Sequence, residues 1–253
     1  MAPIVDAAGV SKVYRTGAVE VPALHSIDLS IEPGEFVAVM GSSGCGKTTL
    51  LNCLSGLDDI DEGTVLVDGS DIHAMADGAR TEHRAGRMGF IFQSFNLIPV
   101  LSAVENVELP LLLSGSKAKD AREKSMTMLS RVGLDHRPKH KPNEMSGGEQ
   151  QRVAVARALV TQPAIVWADE PTGNLDSTMA TAVLDLLQEV NDAGQTILVV
   201  THDDGIAACA RRLVRMADGT IIADGSTADL LQAGTGGAAK PGTRVSRRAP
   251  SKA

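Results

Sequence analysis

The sequence predicts an α/β fold: a parallel-sheet core, preceded by an antiparallel β region and interrupted by a helical insert. Three observations carry that expectation. Short apolar runs, FVAVM (36–40), RMGFIFQ (87–93), AIVWAD (164–169) and TILVV (196–200), have the character of strands buried on both faces. Helical periodicity lies between them, which is the alternation of a parallel sheet covered by helices. The residues before FVAVM instead alternate apolar and polar side chains, as half-buried antiparallel strands do.

In chain order, GVSKVY and VEVPALHSIDLSIEPGE supply the N-terminal strands. FVAVM runs directly into GSSGCGKTT, and a helix is expected from Lys47 to about Gly56. GTVLVDG (63–69) reads as an edge-type strand and RMGFIFQ as a further buried one. From about 97 to 160, AVENVELPLLL and AKDAREKSMTMLSRVGL carry helical periodicity with charged outer faces, which predicts a helical subdomain inserted in the core. The sheet pattern resumes at AIVWAD. Helices are expected over 177–191 and near 203–210, and RLVRMADGTIIADG places Asp218 and Gly219 where a hairpin turn belongs. One domain is therefore expected over 1–233. The remainder, 234–253, is rich in Gly, Ala and Pro, has five Lys or Arg and has no acid. It is expected to be a disordered basic tail, solvated or in weak contact with anionic lipid.

Composition narrows the function. The chain has 253 residues, 43% of them hydrophobic, enough for one sizeable core. Its net charge of -7 argues against sequence-blind nucleic-acid binding, which runs on clustered cations. Cys45, Cys53 and Cys209 have neither disulfide-scaffold nor metal-ligand spacing, which suits a reducing cytosol. No apolar run approaches the ~20 residues that span a bilayer. MAPIVDAAGV lacks the basic start and apolar stretch of a signal peptide. Any role at a membrane is therefore expected to need a partner that spans it.

GSSGCGKTT fits G-x-x-x-x-G-K-[ST] in full, between a buried strand and a helix. The backbone of Gly41, Ser42, Ser43, Gly44, Cys45, Gly46 and the turn into Thr49 can point N–H groups inward at phosphate oxygens. The helix start adds its dipole. Lys47 sets a charge against the β- and γ-phosphates, and the Thr48 hydroxyl can ligate Mg²⁺. This is a phosphate-loop NTPase core for a nucleoside triphosphate.

AIVWADE ends in Asp169 and Glu170, an apolar strand followed by acids. Asp169 is expected to hold the metal. Glu170, where the chain can turn at the strand end, is expected to polarise the attacking water. Gln93 and His202 also follow buried strands, so Gly41, Gln93, Asp169 and His202 stand at the sheet edge where ligands of parallel sheets bind. Trp167, two residues before Asp169, reads as core.

SGGEQQR is the discriminating stretch: Ser146, Gly147 and Gly148 open a predicted helix over about 149–161, which is itself an anion-binding end. With Tyr14, the phosphate loop, Gln93, AIVWADE followed by NLD, and His202, it makes the chain resemble the ATP-binding subunit of ABC transporters over roughly residues 4–230. Met145 and Glu149 depart from the commonest signature, L-S-G-G-Q. The resemblance implies a RecA-like core with ATP and Mg²⁺ as cofactors, and ATP hydrolysis coupled to transport. Tyr14 would stack on adenine and Gln93 would reach the metal and water. Asp176, in NLD, would lie in the loop linking two sites. It also implies a homodimer formed through ATP, in which Ser146 and the two glycines face the γ-phosphate held by the other copy.

FIFQSFNLIPVLSAVENVELPLLL and Gly56–Leu57–Asp58 look most like the lipoprotein-releasing, macrolide-efflux and cell-division branch (LolD, MacB and FtsE types). That likeness implies an integral membrane permease of the FtsX or MacB type as partner, no nucleic acid, and a peripheral place on the cytoplasmic side of the membrane. The segment Phe95 to Leu113 would bear the coupling surface. The alternative is a soluble, non-transport cassette ATPase of translation, repair or regulation. Against it stand the single cassette and the short interval between Gln93 and Ser146, which has no sustained heptads.

Overall fold

The alternating N-terminal residues form β1 (Val5–Thr16) and β2 (Val19–Ile31), paired antiparallel. The computed structural model describes residues 2–17 and 19–234, so all of the expected basic tail beyond Gly234 lies outside the described residues. The fully buried FVAVM is β3 (Phe36–Met40), and α1 (Lys47–Leu54) leaves the phosphate loop. β4 (Glu62–Val67) pairs with β1 on one side and with the two-residue β5 (Ser70–Asp71) on the other. The expected edge strand is therefore flanked, although its second neighbour is short.

Next comes α2 (Asp77–Arg87), which the hydrophobic pattern did not signal because none of its residues is buried. Salt bridges of Arg80 with Asp59 and Asp77 hold it, and Arg84 donates to the Gly56 carbonyl. β6 (Met88–Phe92) follows, then α3 (Ala103–Leu113) and α4 (Ala118–Arg131). A single 3-10 turn (Pro142–Glu144) leads into α5 (Gly147–Leu159), which starts two residues before the expected bound. β7 (Ile165–Asp169), α6 (Ser177–Asp192) and β8 (Thr196–Thr201) come where the pattern placed them.

The helix expected near 203–210 is one turn only, α7 (Asp204–Ala207). It ends in tight i to i+3 bonds, Cys209 N to the Ile206 carbonyl and Ala210 N to the Ala207 carbonyl. β9 (Arg212–Ala217) and β10 (Thr220–Ser226) then form the expected hairpin, with Asp218 and Gly219 both at positive φ. A last helix, α8 (Thr227–Gly234), was not anticipated.

The second sheet runs β10-β9-β3-β8-β7-β6, parallel except for β10. Strand periodicity sends alternate residues to two cores. Val37, Val39, Leu198 and Trp167 face α1 and the antiparallel sheet. Phe36, Ala38, Val199 and Val166 face α3 to α6. The helical layer shares its core with the sheet, and Trp167 is fully buried as expected. β6, expected to be buried on both faces, is the edge strand, with Phe90 and Phe92 half-buried and stacked 5.9 Å apart. Because β3, β6, β7 and β8 are parallel, their C-terminal ends all reach one edge.

The helical layer is pressed onto that edge strand at Gly89. A Cβ there would lie 2.3 Å from the Ala158 carbonyl oxygen of α5, which is backbone and cannot yield. Gly89→Ala is expected to lower the unfolding free energy by about 1–3 kcal/mol, measured by urea denaturation.

Candidate active site

At the end of β3 the chain must bend back on itself within one loop. Gly41 permits this because a Cβ would sit 2.3 Å from the Met216 carbonyl oxygen and 2.5 Å from Cys45 Sγ. Gly46, the N-cap of α1, has φ +102°, a conformation in which L side chains are strained. Lys47 is buried, and its ammonium donates to the carbonyls of Gly41 (2.9 Å) and Ser42 (3.0 Å). The loop lines a cleft of ≈ 390 Å³ together with Tyr14, Val21 and Pro22 on one side and Glu170 and His202 on the other. Gly41 and Ser42 turn toward a second hollow beside His202 and Arg215.

Thr48 Oγ1 donates to Asp169 Oδ1 at 3.2 Å, so the loop and the end of β7 meet across the sheet edge. Burial, reinforced by neighbouring Glu170, raises the Asp169 carboxyl above its usual range, against the Thr48 hydrogen bond and Lys47. Glu170 has φ +46°, a left-handed backbone rarely taken by a non-glycine residue, with its N–H bonded to the Val200 carbonyl at 2.9 Å. Its carboxylate accepts from Thr201 Oγ1 at 3.2 Å and lies 2.7 Å from His202 Nδ1. An ionised carboxylate only accepts, so this contact is a hydrogen bond when His202 carries a proton on Nδ1.

Gln93 stands one strand further out, exposed, and does not line the cleft. Its side chain packs on Gly173, where a Cβ would come within 2.8 Å of Nε2, and its carbonyl accepts from Asn174 Nδ2 at 2.9 Å. Asp176 is the N-cap of α6, accepting from the Met179 N–H at 2.9 Å.

Ser146 caps α5. Its Oγ accepts from the Glu149 N–H at 3.3 Å, and Glu149 Oε2 accepts from the Ser146 N–H at 2.8 Å. Hydrogen bonding to that backbone N–H leads in holding the Glu149 carboxyl below its usual range, and Arg137 Nε lies 3.3 Å away. The departure at position 149 is thus a helix cap. Gly148 is crowded from within the chain: a Cβ would lie 2.6 Å from Met179 Sδ, so the Met179 side chain would have to shift. Gly147 is not: a Cβ there makes only ordinary contacts, at 3.6 Å or more. Neither glycine, nor Ser146, lines the phosphate-loop cleft.

Sequence reasoning missed three sets of supporting residues. Thr201 bonds Glu170, and its only signal was its place at a strand end. Gln151 and Arg157 of α5 donate to the carbonyls of Pro171 and of Phe95 and Asn96, tying the signature helix to the loops after β7 and β6. Burial lowers the pKa of Arg157. Lys12 and Asp58 surround Tyr14, and their alternation in a strand and a loop gave no hint of it.

Comparison with known proteins places this geometry. Residues 24–173 match the family model described as ABC transporter. The chain is 45% identical over 233 residues to the macrolide export ATP-binding/permease protein MacB of Syntrophobacter fumaroxidans, covering 90% of this chain and 33% of that one. It thus spans about a third of that relative. It is 45% identical over 215 residues to the uncharacterized ABC transporter ATP-binding protein YvrO of Bacillus subtilis, covering 85% of this chain and 94% of YvrO. The dimeric ATP-binding cassette MJ0796, in a post-hydrolysis state with ADP and Pi, superposes with a TM-score of 0.82 at 40% identity over 88% of this chain and 98% of that one. The cbiO1 protein of Clostridium perfringens gives 0.81 at 25% identity over 92% of each chain.

The cap itself is testable. Glu149→Ala removes the acceptor for the Ser146 N–H and the pair with Arg137. It is expected to cost about 0.5–2 kcal/mol of stability, read by urea denaturation.

Proposed function

The chain belongs to the ABC transporter family, and from that premise we propose that it is the ATP-hydrolysing subunit of a transporter, closing as an ATP-bound dimer to move a membrane permease. The observation that carries this reading is the meeting of loop, carboxylates and histidine at one sheet edge, with the signature helix opening elsewhere. Lys47 now spends its charge on two loop carbonyls. A triphosphate would exchange these for stronger charge-assisted bonds. Thr48 and Asp169 present a hydroxyl and a carboxylate 3.2 Å apart, a fitting pair of protein ligands for Mg²⁺ that draws its other ligands from phosphate and water. When bound, the ion neutralises charge on the β- and γ-oxygens. We assign Gln93 to the outer side of that centre.

Glu170 is the general base of the reading, aimed by its left-handed backbone and held by Thr201 and His202. With Nδ1 engaged by Glu170, His202 can donate to a γ-phosphate through Nε2 only as an imidazolium. Tyr14 and Val21 offer the base an apolar rim, both more than a third exposed. The capping box consumes the N–H groups of Ser146 and Glu149 and leaves those of Gly147 and Gly148 for an anion. Since these do not line the chain's own cleft, they serve the γ-phosphate of a second copy.

The permease, of FtsX or MacB type, is assigned to a mainly apolar groove of ≈ 340 Å³ between α2, β6, α3 and α5, lined by Phe90, Phe92, Leu109 and Leu113. It adjoins the Phe95–Asn96 turn that Arg157 holds. No described helix is long and apolar enough to cross a membrane. The subunit is accordingly assigned to the cytoplasmic face, held there by that partner.

Glu170→Gln is expected to bind ATP normally, to lose about 10²- to 10⁴-fold in turnover, and to elute as an ATP-bound dimer on a sizing column. Monomers in excess ATP and Mg²⁺ would count against the dimer. Ser146→Arg is expected to leave nucleotide binding intact and to remove hydrolysis. A fall in binding by calorimetry would mean that the signature acts on its own chain's nucleotide.

A further inference from the structure

Tyr14 lies on the rim of the cleft, 39% exposed, opposite Val21 in the β1–β2 register. An aromatic ring on an exposed strand end is free to swing about χ1 and χ2, and ordering it on binding costs affinity. Here the ring is held before any nucleotide arrives. Its hydroxyl donates to Asp58 Oδ2 at 2.8 Å. The Lys12 ammonium lies over the ring, 5.1 Å from its centroid, and is itself fixed by Asp58 Oδ1 at 2.8 Å and the Asp59 carbonyl at 2.7 Å. One carboxylate thus grips both the ring's hydroxyl and the cation lying over one of its faces. Lys12 does not line the cleft, whereas Tyr14 does. The face opposite the cation is the one left for a base.

Asp58 does not float. Its backbone N–H and that of Leu57 both bond to the Asn52 carbonyl of α1, at 3.1 and 2.9 Å. α1 is the helix that the phosphate loop opens. The base platform and the phosphate loop are therefore joined by one rigid path, from α1 through Asp58 to Tyr14.

We propose that Asp58 is a positioning residue for nucleotide binding: it fixes the Tyr14 ring, with Lys12 behind it, in register with the phosphate loop. The proposal rests on the reading of Tyr14 as the base-stacking residue. Asp58 touches neither phosphate nor reacting water, so its effect falls on ATP affinity and not on the hydrolytic step. Its effect is also carried entirely by the ring.

The test is a mutant cycle on the full chain, reading KM and kcat for ATP, with urea denaturation to confirm folding. Tyr14→Ala is expected to raise KM about tenfold or more, as loss of a base–aromatic stack does. Asp58→Ala is expected to raise KM about three- to tenfold with kcat within about twofold, the size of a lost hydrogen bond to a charged group spread over a partly ordered ring. Tyr14→Phe, which keeps the ring and folds most easily, is expected to match the direction of Asp58→Ala. In the Tyr14→Ala background, Asp58→Ala is expected to add nothing to KM. If it raises KM there by the same factor, or lowers kcat in step, Asp58 acts on loop structure and the proposal is overturned. If Tyr14→Ala leaves KM unchanged, the stacking role of Tyr14 fails first. If Tyr14→Ala raises KM but Asp58→Ala and Tyr14→Phe do not, stacking stands and the positioning role falls.

Discussion

The site depends on one backbone constraint, the left-handed turn at Glu170. Two neighbours in a strand point to opposite faces, so Asp169 and Glu170 could not both serve one centre if β7 simply continued. With φ +46° at Glu170, the chain leaves the sheet at that residue, and its N–H is taken by the Val200 carbonyl of the adjacent strand. Asp169 then meets Thr48 of the phosphate loop while Glu170 meets Thr201 of β8 and His202 just past it. A non-glycine residue in this conformation is strained, and such strain persists where the surroundings over-determine it. Here three bonds from β8 and its end do so: one to the backbone and two to the carboxylate.

A second constraint ties this centre to the helical layer. α5 sits close on β6, with Gly89 leaving no room for a methyl group. Along that helix Gln151 reaches the Pro171 carbonyl, just past Glu170, and Arg157 reaches the carbonyls of Phe95 and Asn96, just past Gln93. Phe95 and Asn96 both have positive φ, so this turn is also held out of the common conformations. Arg157 has no carboxylate partner among its described bonds, and its charge is satisfied by carbonyl dipoles. A displacement of α5 would therefore pull on the ends of both β6 and β7. Arg157 and Asn96 also line the groove beside Leu109 and Leu113, so the same contacts join that groove to both strand ends.

Much of this was legible in the sequence, for identifiable reasons. Buried parallel strands are unbroken apolar runs, and FVAVM, AIVWAD and TILVV fell where β3, β7 and β8 stand. The Asp218–Gly219 turn needs two positive φ angles, and its residues announced them. What escaped was held by other forces. α2 has no fully buried residue and rests on Arg80 and Arg84, so hydrophobic periodicity had no purchase on it. β6 read as buried on both faces because its half-exposed face is apolar. That face, with the stacked Phe90 and Phe92, lines the groove that no other described strand covers. Of the site residues, Lys47, Thr48, Asp169, Glu170 and His202 stand close together at one sheet edge. Gln93 stayed outside the cleft, because β6 is the last strand of the sheet. The clasp of Lys12 and Asp58 on Tyr14 joins residues 44 and 46 positions apart, a long-range pairing that no local pattern encodes.

The two signature glycines can be separated by what each must accommodate. Gly148 is crowded by its own chain, since a side chain there would have to displace that of Met179 of α6. Gly147 is not crowded from within, and the capping box has no use for its N–H. A glycine that neither packing nor capping requires leaves the backbone open to close approach. The acid at position 149 stands close to that open backbone. It is, however, turned back onto the Ser146 N–H and lies within 3.3 Å of Arg137. Its charge is thus spent on the cap and on a neighbouring cation, while the helix end keeps its two free donors and its dipole. Glu149 is thus committed to the start of α5 and to Arg137, within its own chain.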